Sequence, residues 1–178
     1  LSPDGRRVAI ACFEAHAVAV VDLDITHEGT SARVAHTAIV TLVAQELEQP
    51  HGVDWLDDRT LVVADRDGRV GLLAVPEPRP GEAVEARVGL LPLDGGLTDL
   101  YGPGSVRVVT RADDHVEVLV CNNWGNRITR HRFDRGERWA VAGSEPCTRR
   151  LLDLPDGVAT SPDGAWLAVS NHNLQTVV

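Results

Sequence analysis

The side chains best able to do chemistry in this sequence are few, and they sit in short polar stretches between apolar runs. His51 and Asp156 each stand between a proline and a glycine, in Pro50-His51-Gly52 and Pro155-Asp156-Gly157. Asn122 and Trp124 share the stretch Asn122-Asn123-Trp124-Gly125-Asn126, and Asn171 and His172 share Asn171-His172-Asn173. An imidazole, a carboxylate, carboxamides and an indole at such places can hydrogen-bond to and stack on a small ligand or a partner protein. Each also has a structural reading. Pro-Asp-Gly is a common turn in which Asp tolerates the required backbone, a His at a strand start can be a hydrogen-bonded channel residue, and Asp65, Asn122, Asn171 and Asn173 suit left-handed hairpin positions.

Other chemistries find no motif. No G-x-S-x-G, H-E-x-x-H or P-loop sequence occurs, and Asp65-Arg66-Asp67-Gly68 is too short for a calcium loop of the EF-hand kind. Cys12, Cys121 and Cys147 are an odd number without C-x-x-C spacing, and Cys12 and Cys121 occupy nearly equivalent second-strand positions, where packing is the expected role. The net charge of −9 and the absence of a basic stripe argue against nucleic acid as a partner. The Arg residues between 127 and 138 alternate as on a strand and read as a solvated outer face. No apolar run approaches the roughly 20 residues of a membrane helix. All 17 basic residues are Arg and Met is absent, which suggests a bacterial source and a piece of a longer, soluble protein; its compartment is open.

The elements that position these residues repeat. Ser161-Pro162-Asp163-Gly164 followed by Leu167-Ala168-Val169 has a counterpart in Ser2-Pro3-Asp4-Gly5 followed by Val8-Ala9-Ile10, and further copies place Leu61 and Val118 in the same role. The spacings between Val8, Leu61, Val118 and Leu167 are 53, 57 and 49. A period near 53 residues, with several short strands per period and no sustained helical periodicity, predicts an all-β fold: a β-propeller of four-stranded antiparallel blades. The units fall at roughly 1–43, 51–91, 103–152 and 155–178, about three and a half blades in one partial propeller domain. Ile25 to Arg33 reads as a polar segment and Gln45 to Gln49 as a possible helical turn. Outer strands are expected near Glu85 to Leu91 and near Thr148 to Leu152, and Leu93 to Gly102 reads as a loop. Trp55 and Trp166 are expected to pack between blades, and the two Ser-Pro-Asp-Gly stretches to adopt one turn geometry.

His51-Gly52-Val53 through Val75, and Asn122 to Phe133, resemble NHL repeats, and Ser-Pro-Asp-Gly followed by Leu-Ala-Val-Ser-Asn is similar to YVTN-type propellers. Both belong to the six-bladed, TolB-like group that also holds the gluconolactonase and senescence-marker-protein family, so the resemblance implies six blades at full length. In the lactonase family the metal-binding and catalytic side chains precede the glycine that opens an innermost strand. That position is His51, Pro103 and Asp156 here. Leu154-Pro155-Asp156-Gly157 matches the family's Pro-Asp-Gly, whose Asp is a ligand and base, and Pro50-His51-Gly52-Val53-Asp54-Trp55 is similar to its Asn-Gly-Leu-Asp-Trp with His in place of the Asn ligand. The resemblance thus implies a divalent cation, calcium or zinc, held by Asp156 and His51, with Asp156 catalytic.

Two functions follow as expectations. One is a non-catalytic propeller that binds a small ligand or a protein at a channel mouth presenting His51, Trp124, Asn122, Asn171 and His172. The alternative is a metal-dependent lactonase or related ester hydrolase. Three periods and about 19 further residues would leave an open arc, completed by remaining blades of the same protein.

Overall fold

The computed structural model describes residues 1–92, 100–111, 114–136, 139–148 and 151–178. Among the described residues, fifteen strands form four sheets and no α-helix occurs. The first sheet is ordered β1 (Arg7–Cys12), β2 (Ala17–Glu28), β3 (Ser31–Val43) and β7 (Ala83–Arg87). The second holds β4 (Pro50–Asp57), β5 (Thr60–Asp65), β6 (Arg69–Ala74) and β8 (Leu90–Pro92). The third holds β9 (Pro103–Arg111), β10 (His115–Asn122), β11 (Arg127–Arg135) and β12 (Trp139–Thr148), and the fourth β13 (Pro155–Thr160), β14 (Leu167–Asn171) and β15 (Thr176–Val177).

Strand alternation turns one apolar run into two packing faces. In β5, Leu61 and Val63 join Val18, Val20, Val40 and Leu42 of the first sheet, together with Trp55 and Leu73. Their neighbours Val62 and Ala64 point the other way, onto Val106, Val108, Val118 and Val120 of the third sheet. Leu119, Cys121 and Ile128 then face Val169 of the fourth. Each middle sheet is therefore clamped between two others, the packing a propeller blade requires. Truncating a fully buried residue such as Leu61 to Ala would cost about 2–5 kcal/mol.

The two Ser-Pro-Asp-Gly turns match bond for bond. The Ser2 and Ser161 carbonyls accept from the Gly5 and Gly164 N–H, each at 2.9 Å. Asp4 and Asp163 each accept from their Ser hydroxyl and from the N–H two residues on. Gly5 and Gly164 have φ of 73° and 69°, conformations in which a side chain would be strained. These hydrogen bonds, the serine's foremost, hold both carboxyls below the usual Asp range.

Several expectations are corrected. The polar segment Ile25 to Arg33 is no loop: β2 and β3 continue through it as a two-stranded ribbon, with Ile25 opposite Val34. Gln45 to Gln49 forms only a turn. The outer strand expected at Glu85 to Leu91 is split, because β7 leaves its own unit to pair in parallel with β3, and only β8 completes the second sheet. The outer strand of the third sheet is β12, ahead of the expected Thr148 to Leu152. Trp55 is fully buried, as expected, but Trp166 is 77% exposed. Most of the loop expected at Leu93 to Gly102, residues 93–99, lies outside the described residues.

Candidate functional site

Cross-strand register places the site. Pro50 pairs with Asp65, Pro103 with Asn122 and Pro155 with Asn171. The backbone agrees: the N–H groups of Arg66, Asn123 and His172 donate to the carbonyls of Gln49, Gly102 and Leu154. The three inner strands β4, β9 and β13 are therefore aligned on their prolines, and the position after each proline is His51, Gly104 and Asp156. Pro103, the expected counterpart of His51, is one residue out of register. Choosing the residue before a glycine misleads in the third unit, where the glycine is itself the equivalent residue.

The side chain ending each second strand acts as a clasp. Asp65 is buried and its carboxylate accepts from the N–H groups of Glu48, Gln49 and Asp67 at 2.7, 2.9 and 3.1 Å. Asn122 accepts from Tyr101 N–H at 2.9 Å and donates to Thr129 Oγ1 at 3.0 Å. Asn171 accepts from Asp153 N–H at 3.0 Å and donates to the Leu151 carbonyl at 2.7 Å. Asn122 and Asn171 are 0% and 2% exposed, so their polar atoms serve the backbone that enters the inner strands.

The residue that follows the end of β1, β5 or β10 faces the inner strand of the next sheet. Phe13, after Cys12, meets the His51 ring edge to face at 6.2 Å. Asn123 donates through Nδ2 to Asp156 Oδ1 at 2.9 Å. Arg66 meets no side chain at Gly104 and reaches past it, its Nη2 lying 3.6 Å from the same Asp156 oxygen. Gly104 carries no side chain because a Cβ there would overlap the Asn123 carboxamide. Gly52 is required for a related reason: a Cβ would fall 2.6 Å from the Ser105 Cα, so only glycine lets β4 and β9 approach this closely.

His51 is held by the third sheet. Its Nδ1 lies 2.6 Å from the Gly104 carbonyl; a carbonyl only accepts, so Nδ1 carries the proton and Nε2 stays open. Below it, buried Asp54 accepts from Val108 N–H at 2.8 Å, tying β4 to β9. Trp124 and His172 are exposed. Trp124 packs on Gly102 and meets Tyr101 edge to face at 5.9 Å.

His51 and Asp156 thus lie at the same end of the sheets, with Arg66 and Asn123 joining them. Sequence reasoning missed these two, although each directly follows a clasp residue. The cluster does not fit a divalent cation: no group of three or more His, Cys, Asp or Glu among the described residues could hold one. Asp156 is engaged by a guanidinium and an amide donor, and His51 uses Nδ1 on a carbonyl. Cys121 lies behind Asp156; burial, helped by that carboxylate's charge, pushes its thiol up to about 12, so it offers no thiolate nucleophile.

A second polar cluster lies in the third sheet. His131 is fully buried, with Nδ1 2.8 Å from Ser144 Oγ and Nε2 2.8 Å from Thr129 Oγ1. Burial lowers its pKa to about 4, which keeps the ring neutral near pH 7. It is a satisfied core histidine linked through Thr129 to the Asn122 clasp.

Comparison with known proteins bears on this geometry. The profile of the lipoprotein LpqB beta-propeller domain matches residues 1–124. A proposed 6-phosphogluconolactonase from Bacteroides uniformis shares the fold at 12% identity and a TM-score of 0.55 over 96% of this chain and 48% of its own. Another from Bacteroides fragilis does so at 14% identity and a TM-score of 0.50 over 97% and 49%. The chain spans about half the length of these two structures. No curated protein matches significantly. The match over more than half its length shows that the chain belongs to the LpqB β-propeller-domain family.

Proposed function

We propose that this member of the LpqB propeller-domain family is a non-catalytic binding module, whose polar mouth takes a small ligand or a segment of a partner protein. The observation that carries the reading is the environment of Asp156, whose Oδ1 faces both Arg66 and Asn123, so that a fixed guanidinium already stands beside the carboxylate where a cation would bind. Water activation by an ion would need that carboxylate as a ligand. A fixed array of donors and acceptors instead suits recognition. The reading assigns ligand contact to His51, Arg66, Asn123 and Asp156, with Trp124 and His172 on the rim, and leaves Asn122 and Asn171 as supports. It takes the full-length propeller to have six blades, this chain contributing about half.

The rival reading, a metal-dependent lactonase or related ester hydrolase using Asp156 and His51 with calcium or zinc, draws on the fold shared with the two proposed 6-phosphogluconolactonases. One experiment separates the two. The full-length protein is melted with and without calcium, zinc or manganese and assayed against gluconolactone. The binding reading expects no ion-dependent rise in Tm and no hydrolysis above background. An ion-dependent rise that Asp156→Ala abolishes, together with lactone hydrolysis, would overturn it.

A further inference from the structure

We infer that the ligand of this mouth is a neutral saccharide, with one ring face on Trp124 and its hydroxyls on Asp156, Asn123 and Arg66. This rests on the binding-module reading above and names the class of ligand. The first ground is an aromatic pair left half exposed. Trp124 is 52% exposed and Tyr101, the only tyrosine of the chain, is 57% exposed. Their rings meet at 5.9 Å and 69°, so the half-exposed indole, whose face a sugar would use, is bordered by a second ring. Such a face is electron-rich and attracts the C–H groups that line one side of a pyranose.

The pair is also held in place. Gly102 lies under the indole at φ 59°, and a Cβ there would come within 2.5 Å of the ring. Tyr101 N–H is clasped by Asn122, and Asn126 of the same hairpin accepts from Leu154 N–H at 2.8 Å. A platform set in advance loses little freedom on binding.

Position supplies the third ground. Trp124 sits over Gly102 and Asn123 against Gly104, two residues along the chain, so aromatic and polar parts are separated by about 7 Å. One sugar ring can span that gap. Finally, the polar part is balanced in charge. An anionic ligand would meet the Asp156 carboxylate and a cationic one the Arg66 guanidinium, whereas hydroxyl groups, which donate and accept, can use both. Carboxylate, carboxamide and guanidinium are planar groups able to engage neighbouring hydroxyls in pairs.

The test is calorimetric titration of the full-length protein with cellotriose, maltotriose and trehalose, and with 6-phosphogluconate and choline as charged controls. The expected result is that at least one neutral saccharide binds, that Trp124→Ala weakens it roughly ten-fold or more, that Trp124→Phe restores most of the loss, and that Asp156→Asn also weakens it. Saccharide binding indifferent to Trp124→Ala, tighter binding of either charged control, or no binding of any neutral sugar at millimolar concentration would overturn the inference. Those failures leave the binding-module reading to its own metal and lactone assay.

Discussion

The carboxamide of Asn123 occupies the space that a side chain at Gly104 would need, and from there it holds Asp156. In the third sheet the side chain at this position thus comes from the hairpin after the second strand, while in its neighbours it comes from the inner strand itself, as His51 and Asp156. One missing Cβ moves the polar group from strand to hairpin and lets Arg66 reach across to the fourth sheet.

Gly104→Ala should therefore expel Asn123 and break its bond to Asp156. Overpacking and the lost hydrogen bond together predict a loss of about 1–3 kcal/mol, read as a lower denaturation midpoint of the full-length protein. Asn123→Ala should make Gly104→Ala far less harmful, since the overlap is removed. Strictly additive effects in that double-mutant cycle would show that the two residues do not compete for one space.

The clasp predicts a graded series at Asp65. Its buried carboxylate accepts three backbone N–H groups, so Asp65→Ala should cost about 2–4 kcal/mol by leaving donors unpaired. Asp65→Asn supplies one carbonyl oxygen and turns an NH₂ toward donors, so it should recover only part of this. Equal stability of the Asn variant and the natural protein in urea unfolding would refute the three-acceptor account.

How legible this was in the sequence depended on the range of the pairing concerned. Alternation and repeated turn residues revealed the strands, and identical Ser-Pro-Asp-Gly stretches revealed identical turns, because those signals are local. The register of the site was nearly legible: Pro50, Pro103 and Pro155 mark it, but the glycines two residues after Pro50 and Pro155 drew attention to the wrong neighbour in the third unit, where glycine directly follows the proline. The parallel docking of Ala83–Arg87 on β3 had no local signature, since alternation says that a strand exists and not which sheet takes it. Arg66 and Asn123 matter through contacts two sheets and one sheet away, and spacing within a unit carries no trace of those.

The cysteines give an inexpensive check of the packing. Cys121 is buried and its thiol is pushed up to about 12, whereas Cys147 is exposed. At neutral pH a thiol reagent should modify Cys147 in the native protein and reach Cys121 only on unfolding. Native-state labelling of Cys121, mapped by mass spectrometry, would contradict the contact between the third and fourth sheets that covers it.

The last prediction concerns acid. His131 is buried between Ser144 and Thr129, and among the described residues no carboxylate hydrogen-bonds to its ring. While the imidazole is neutral, one nitrogen donates and the other accepts; protonation would make both donors and bury an uncompensated charge. The folded pKa, about 4, lies below the ordinary value of 6.5. The unfolded chain therefore binds a proton first as pH falls, and stability declines from about pH 6.5 down to about pH 4, where the folded form takes up its own proton and the decline from this residue ends. A shift of this size corresponds to about 3 kcal/mol across that window. His131→Gln, which keeps a polar side chain but cannot titrate, should be less stable than the natural protein at pH 7 and should lose the part of the pH dependence that lies between those limits. Urea midpoints measured at several pH values for both proteins test this, and parallel curves through the window would mean that His131 is not the group whose burial opposes acid.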